Sequence, residues 1–128
     1  MKYPLTNVIA SRTLIWKHDD GSESQVEVRI GPPQERVFVD TQDRDWYCVF
    51  QILGLGEALT EAAFGVDSLQ ALSAAIAGVG TLIAASPPGK KKQFDLSELP
   101  NCGFPIMPIP PKASPARPKA KSKGKKKQ

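Results

Sequence analysis

WYCVFQILGLG, residues 46–56, alternates with a period of two: Trp46, Cys48, Phe50 and Ile52 fall on one face, and Tyr47, Val49 and Gln51 on the other. That pattern predicts a β-strand with one bulky face turned to a core, where each large side chain contributes about 1.5–3 kcal/mol on burial. Gly54 and Gly56 close it.

Upstream, NVIASRTLIWK at 7–17 is rich in β-branched and aromatic residues and runs into the turn formers HDDGS at 18–22. QVEVRI at 25–30 alternates again, with Val26, Val28 and Ile30 opposite Glu27 and Arg29. The two segments predict a β-hairpin turning around Asp20 and Gly21. Gly31, Pro32 and Pro33 end its second strand, because proline supplies no ladder donor. RVFVD at 36–40 predicts a short third strand, followed by the polar turn TQDRD at 41–45.

Downstream, residues 57–64 predict a short helical piece. Beyond it Leu69, Leu72, Ile76, Val79, Leu82 and Ile83 recur at steps of three and four, the mark of one side of a helix over 68–85. Gln70, Ser73, Ala74, Ala77 and Thr81 fall elsewhere, and the alanine and glycine side permits close packing on another helix, including one from a second copy. Pro87, Pro88 and Gly89 stop the helix, and Lys90 to Lys92 stand where cations favour a helix C-terminus. QFDLSELPNCGFP at 93–105 predicts a last ordered segment anchored by Phe94, Leu96, Leu99 and Phe104.

The expected fold class is therefore α+β: a small antiparallel sheet of three to four strands packed against one long C-terminal helix, in a compact domain spanning 1–105. The helix carries no charge, so a membrane span has to be weighed. Its six Leu, Ile and Val residues offer only about −2 to −4 kcal/mol of insertion energy. Gln70, the hydroxyl residues and the glycines oppose insertion, and the expectation is a core helix with no membrane span.

Charge divides the chain in two. Of 17 basic residues, eight (Lys112, Arg117, Lys119, Lys121, Lys123, Lys125, Lys126, Lys127) lie in 106–128, which holds no acid. Residues 1–105 keep nine basic against 13 acidic residues, so the net +4 describes the tail and not the body. Proline, lysine, alanine and serine dominate 106–128, too few apolar groups to offset the entropy of ordering, and this predicts a disordered basic tail. Spaced lysines attract polyanions without reading bases, and the tail has no aromatic side chain for stacking. Several PxxP matches there carry little weight in a proline-rich segment.

GVDSLQAL at 65–72 poses a specific question, since a serine in this setting resembles the phosphopantetheine site of a carrier protein. Carrier proteins are helical bundles, whereas the residues before Ser68 read as strands. The same letters make a helix start, with Asp67 as N-cap and Gln70 completing a capping box. The structural reading of Asp67 and Gln70 is preferred.

Other chemistry is sparse. Two cysteines, Cys48 and Cys102, and one histidine, His18, do not make a structural metal site, and buried free thiols are expected. His18 beside Asp19 and Asp20 lacks a nucleophile and an oxyanion site. Asp40, Asp43 and Asp45 lack the glycine and glutamate of a calcium loop, and Gly54-Leu55-Gly56 does not extend to a dinucleotide fingerprint. No catalytic, metal or cofactor residue is assigned, and no cofactor is expected. The N-terminal residues lack an apolar h-region, so the expected location is the cytoplasm.

W-x-C-x-F-x-I-x-G-L-G from Trp46, G-V-D-x-L-Q-A-L from Gly65 and G-F-P from Gly103 occur here in one order. Together, over about residues 8–105, they resemble a family of small uncharacterised bacterial proteins built on a domain of unknown function. The resemblance implies a compact cytosolic domain with no catalytic or cofactor residues to carry over. Against it, the RVFVDTQDRD segment looks long and the basic tail looks like a local addition. The functional expectation is a non-enzymatic interaction module binding a protein partner, a second copy included. The alternative is a nucleic-acid-associated protein using its cationic tail, and a phosphopantetheine carrier at Ser68 stands behind both.

Overall fold

The structure is a computed structural model that describes residues 3–105. Five strands, β1 (Ala10–Lys17), β2 (Glu23–Ile30), β3 (Gln34–Val37), β4 (Arg44–Leu53) and β5 (Leu59–Gly65), precede the helix α1 (Ser68–Ala85). A short helix α2 (Pro87–Lys90) and a 3-10 turn at Pro100–Gly103 follow. The strands form one antiparallel sheet, with β2 and β3 on one edge of β4 and β5 on the other.

Because β2 and β3 share an edge of β4, they act as one interrupted strand. Ile30 faces Phe50 and Gln34 faces Tyr47, so the β2–β3 side carries one extra residue between those pairs. The Gly31-Pro32-Pro33 stretch absorbs it as a bulge, in keeping with prolines that have no ladder donor. Gly31 still donates its N–H to Val49 O at 2.8 Å, and a Cβ there would lie 2.9 Å from the Leu5 side chain. The third strand thus starts before the sequence pattern places it and ends at Val37. Residues 38–43 form the turn, closed by the Phe38 N–H to Asp43 O bond at 2.8 Å.

The predicted helical piece at 57–64 is instead mostly strand. Leu59 to Gly65 pair residue for residue with Ile52 to Trp46 of β4. Ala62 and Ala63 favour neither state strongly, and the unpaired edge of β4 decides the outcome. The sheet therefore has one strand more than the upper expectation.

The bulky faces of the strands meet α1. Leu14, Val26, Val28, Ile30, Cys48, Phe50 and Ile52 are buried together with Ala71, Ala75, Val79 and Ile83. Val79 and Ile83 of the predicted face are buried and Leu72 and Ile76 pack against the core, but the face is corrected at its edges: Ala71, Ala75 and Ala77 are inside, whereas Leu69 is 70% and Leu82 38% exposed. The small residues let the helix sit close to the sheet, and a Cβ at Gly78 would already touch the Phe50 ring at 3.5 Å. The alanine side is thus used by the chain's own sheet. By length and composition α1 could cross a membrane; its buried row packs on the strands.

Ser86 ends α1, its N–H bonding Ile83 O at 3.2 Å, and its hydroxyl accepts from Gly89 N–H at 3.2 Å to cap α2. The lysines expected at the end of α1 therefore stand at the end of α2, Lys90 in its last turn and Lys91 as its C-cap. Phe104 then folds onto Gly80 of α1, where a Cβ would come within 2.7 Å of it.

Candidate functional site

At the end of the sheet where β3 stops, β4 begins and β5 passes into α1, the face away from the helix carries an aromatic cluster built around one arginine. Strand register explains the assembly. Gln34, Tyr47 and Phe64 align across β3, β4 and β5, and Arg36 aligns with Asp45. The N-terminal segment adds Tyr3, whose ring centroid lies 4.7 Å from that of Tyr47 and 5.8 Å from that of Phe64.

Arg36 forks onto Asp45, Nε to Oδ1 at 2.9 Å and Nη2 to Oδ2 at 2.7 Å. It also donates to the Tyr3 hydroxyl. Its guanidinium lies 4.5 Å from the Phe38 ring centroid and 4.8 Å from that of Phe64. The bidentate bonds to Arg36 hold the Asp45 carboxyl below its ordinary range, and the same bonds raise the guanidinium pKa. Arg36 is thus fixed as a planar spacer between two phenylalanine rings.

The two rings on this fixed centre are open, Phe38 41% and Phe64 44% exposed, and the residues next to them in the chain, Val39 and Val66, are more open still. Asp40 and Asp43 follow Phe38 in the turn, and Arg44 is paired with Glu35 at 3.2 Å. Scattered apolar side chains are ordinary on a protein surface; two half-open rings brought together on one immobilised arginine are a recognition feature.

The helix start lies beside this surface. Asp67 Oδ1 accepts the Gln70 N–H at 2.8 Å, and Gln70 Oε1 accepts the N–H of Val66 at 2.7 Å. The reciprocal bond of Gln70 reaches one residue beyond the N-cap that a capping box would use. Ser68 opens α1 directly after a strand, and the helical bundle of a carrier protein has no counterpart among the described residues.

The other candidates do not converge. His18 bonds Ser24 Oγ at 2.8 Å and stacks on Trp16 with centroids 4.2 Å apart, so its ring partners are Ser24 and Trp16 and not the neighbouring aspartates. Asp19 takes the Gln93 side chain at 2.7 Å. Asp20 closes its own turn through Ser22 at 2.6 and 2.9 Å, bonds that lower its pKa. Asp45 is spent on Arg36, and among the described residues no group of three or more potential ligands is placed to hold a metal ion. Cys48 and Cys102 are buried free thiols. The tail cations Lys112 to Lys127 lie outside the described residues. Sequence reading missed Arg36 and its aromatic neighbours; the signal available was the Arg36–Asp45 pair flanking a turn, with Phe38 beside it.

The sequence profile of a domain of unknown function, DUF6968, matches residues 10–106. The chain belongs to the DUF6968 family. No curated protein matches it, and no solved structure does. The DUF6968 match spans the whole sheet and α1; it stops where the basic tail begins, and Tyr3 lies before it.

Proposed function

We propose that this DUF6968 domain is a non-enzymatic interaction module that binds a protein partner through the aromatic end of its sheet. The observation that carries the reading is the pair of half-exposed rings Phe38 and Phe64 flanking an arginine already immobilised by Asp45, with the exposed Val39 and Val66 next to them in the chain. Aromatic and arginine side chains dominate binding energy at protein interfaces, and a fixed arginine loses little entropy on docking. A photo-crosslinking residue placed at Val39 or Val66 in the native cell tests it. The expected result is a discrete crosslinked protein from both positions and none from Glu57 at the opposite end of the sheet. No crosslink from either patch position, or the same products from Glu57, refutes the reading.

A second reading is supported by the eight cations and absent acids of 106–128. In it the tail adds nonspecific affinity for nucleic acid. Duplex DNA titrated at low salt with the full chain and with a 1–105 truncation separates the two. If the tail acts, only the full chain binds, with a log K against log salt slope no steeper than about −7 for eight neutralised phosphates. Equal weak binding by both excludes it.

A further inference from the structure

Among the described residues, Arg12 is the arginine whose charge meets no carboxylate. Among the described residues Arg29, Arg36 and Arg44 each pair with a carboxylate, at 3.1, 2.7 and 3.2 Å, and Arg12 has none within 4.0 Å. The guanidinium is nonetheless held in place. Nη1 donates to Cys102 O at 2.9 Å, across 90 positions of sequence, and the group lies 4.8 Å from the Phe104 ring centroid. One carbonyl satisfies one of five N–H donors.

Beside this half-buried cation is an open pocket of about 160 Å³, with Val28, Ile30, Ile76 and Phe104 among its walls and Arg12 and Ser11 at its polar side. Ser11 adds a further donor. Ile15 and Lys17 turn their N–H groups off the outer edge of β1, toward Asp95 Oδ1 and Gln93 O, both at 2.9 Å. By strand alternation Ser11 presents its N–H on that same edge. An unpaired charge against hydrocarbon is costly unless a counter-charge joins it. The volume is that of a benzene-sized cavity, about 150 Å³, and well below a drug-sized site.

We propose that this pocket binds a small apolar monocarboxylate, with the carboxylate on Arg12 and the hydrocarbon against Val28, Ile30, Ile76 and Phe104. A planar guanidinium with free N–H donors matches a carboxylate in two-pronged fashion, and a ring or branched alkyl group of one residue's size fills the rest. The site is distinct from the aromatic end of the sheet and does not depend on what binds there.

The test is an amide-shift titration of the isotopically labelled full chain with benzoate and with 4-methylpentanoate, against benzamide and 4-methylpentanamide as neutral matches. The expected result is saturable shifts gathered at Ser11, Arg12, Ile76 and Gly103, with the amides binding roughly tenfold more weakly. Arg12→Gln should bring the acids down to the level of the amides, while an unchanged spectrum elsewhere shows the fold intact. Arg12→Lys, which keeps charge but not the planar fork, should fall between. Equal affinity for acids and amides, shifts located elsewhere, or no saturable shift at tens of millimolar in the wild-type chain overturns the proposal. Because all these readings come from the wild-type chain, they hold even if Arg12→Gln fails to fold.

Discussion

Asp67 and Gln70 hold the start of α1 between them, Asp67 reaching forward to the Gln70 N–H at 2.8 Å while Gln70 reaches back to Val66 at 2.7 Å. One N–H that the helix leaves unsatisfied, that of Gln70, and the N–H of Val66 just before the cap are answered by side chains three and four residues away. The same turn brings Gly65 against Ala71, where a Cβ would fall 2.5 Å from the backbone nitrogen. The entry into the helix is thereby fixed at one angle.

Asp67→Ala should cost about 1 kcal/mol of stability, the usual loss for an N-cap. Ser68→Ala should stay within about 0.5 kcal/mol, because no side-chain hydrogen bond of Ser68 enters this arrangement. Urea midpoints of the two variants decide it. A larger effect from Ser68 would mean that the cap has been misread.

Ala75 is fully buried on the face of α1 that meets the sheet. Ala75→Leu should destabilise by about 1–3 kcal/mol, since a closely seated helix has no room for added methylenes. The contrasting variant is Leu69→Ala, at a position 70% exposed. It should be close to neutral in thermal melts, although leucine is the more hydrophobic residue.

That contrast shows where the sequence was readable and where it was not. The alternation of 46–52 marked β4, and the Gly-Val-Asp-Ser start marked α1 to its first residue, because both signals are local. Four of the six predicted face residues, Leu72, Ile76, Val79 and Ile83, lie in or against the core. The face was misread only at Leu69 and Leu82, because periodicity weights large residues whereas a helix lying close to a sheet also buries small ones such as Ala71 and Ala75. β5 was unreadable for a related reason: its strand state is imposed by the open edge of β4, 46–52, and not by its own Leu-Thr-Glu-Ala-Ala pattern. Arg36 met Tyr3 and Phe64 only through register and the path of the N-terminal segment, and Arg12 met Cys102 across 90 positions. None of those distances is encoded in a window of ten residues.

Arg36→Gln removes the fork onto Asp45 and should lower the urea midpoint near neutral pH. The folded-state pKa of Asp45 is depressed, so the stabilisation is present above the ordinary value of 3.8 and is lost as pH falls through the lower folded value. The gap between wild type and Arg36→Gln should therefore narrow in acid. A gap independent of pH would assign the effect to packing against Phe38 and Phe64 alone.

Cys48 is wholly buried, its thiol donating to Gly31 O at 3.3 Å, and burial pushes its pKa from 9.0 up to about 11. Burial also raises that of Cys102. A folded pKa above the unfolded one means that the unfolded chain releases its proton first. The contribution of Cys48 is thus full below pH 9.0 and declines as pH rises toward about 11. Two measurements check it. Urea midpoints of wild type should fall across that interval more steeply than those of Cys48→Ala, which has no thiol to ionise there. A thiol-reactive dye at pH 8 should label neither cysteine in the native chain and both in denaturant, because the attacking species is the thiolate and the fold disfavours it. Rapid native labelling of Cys48 would place that thiol within reach of solvent, and the core of the sheet would have to be redrawn around it.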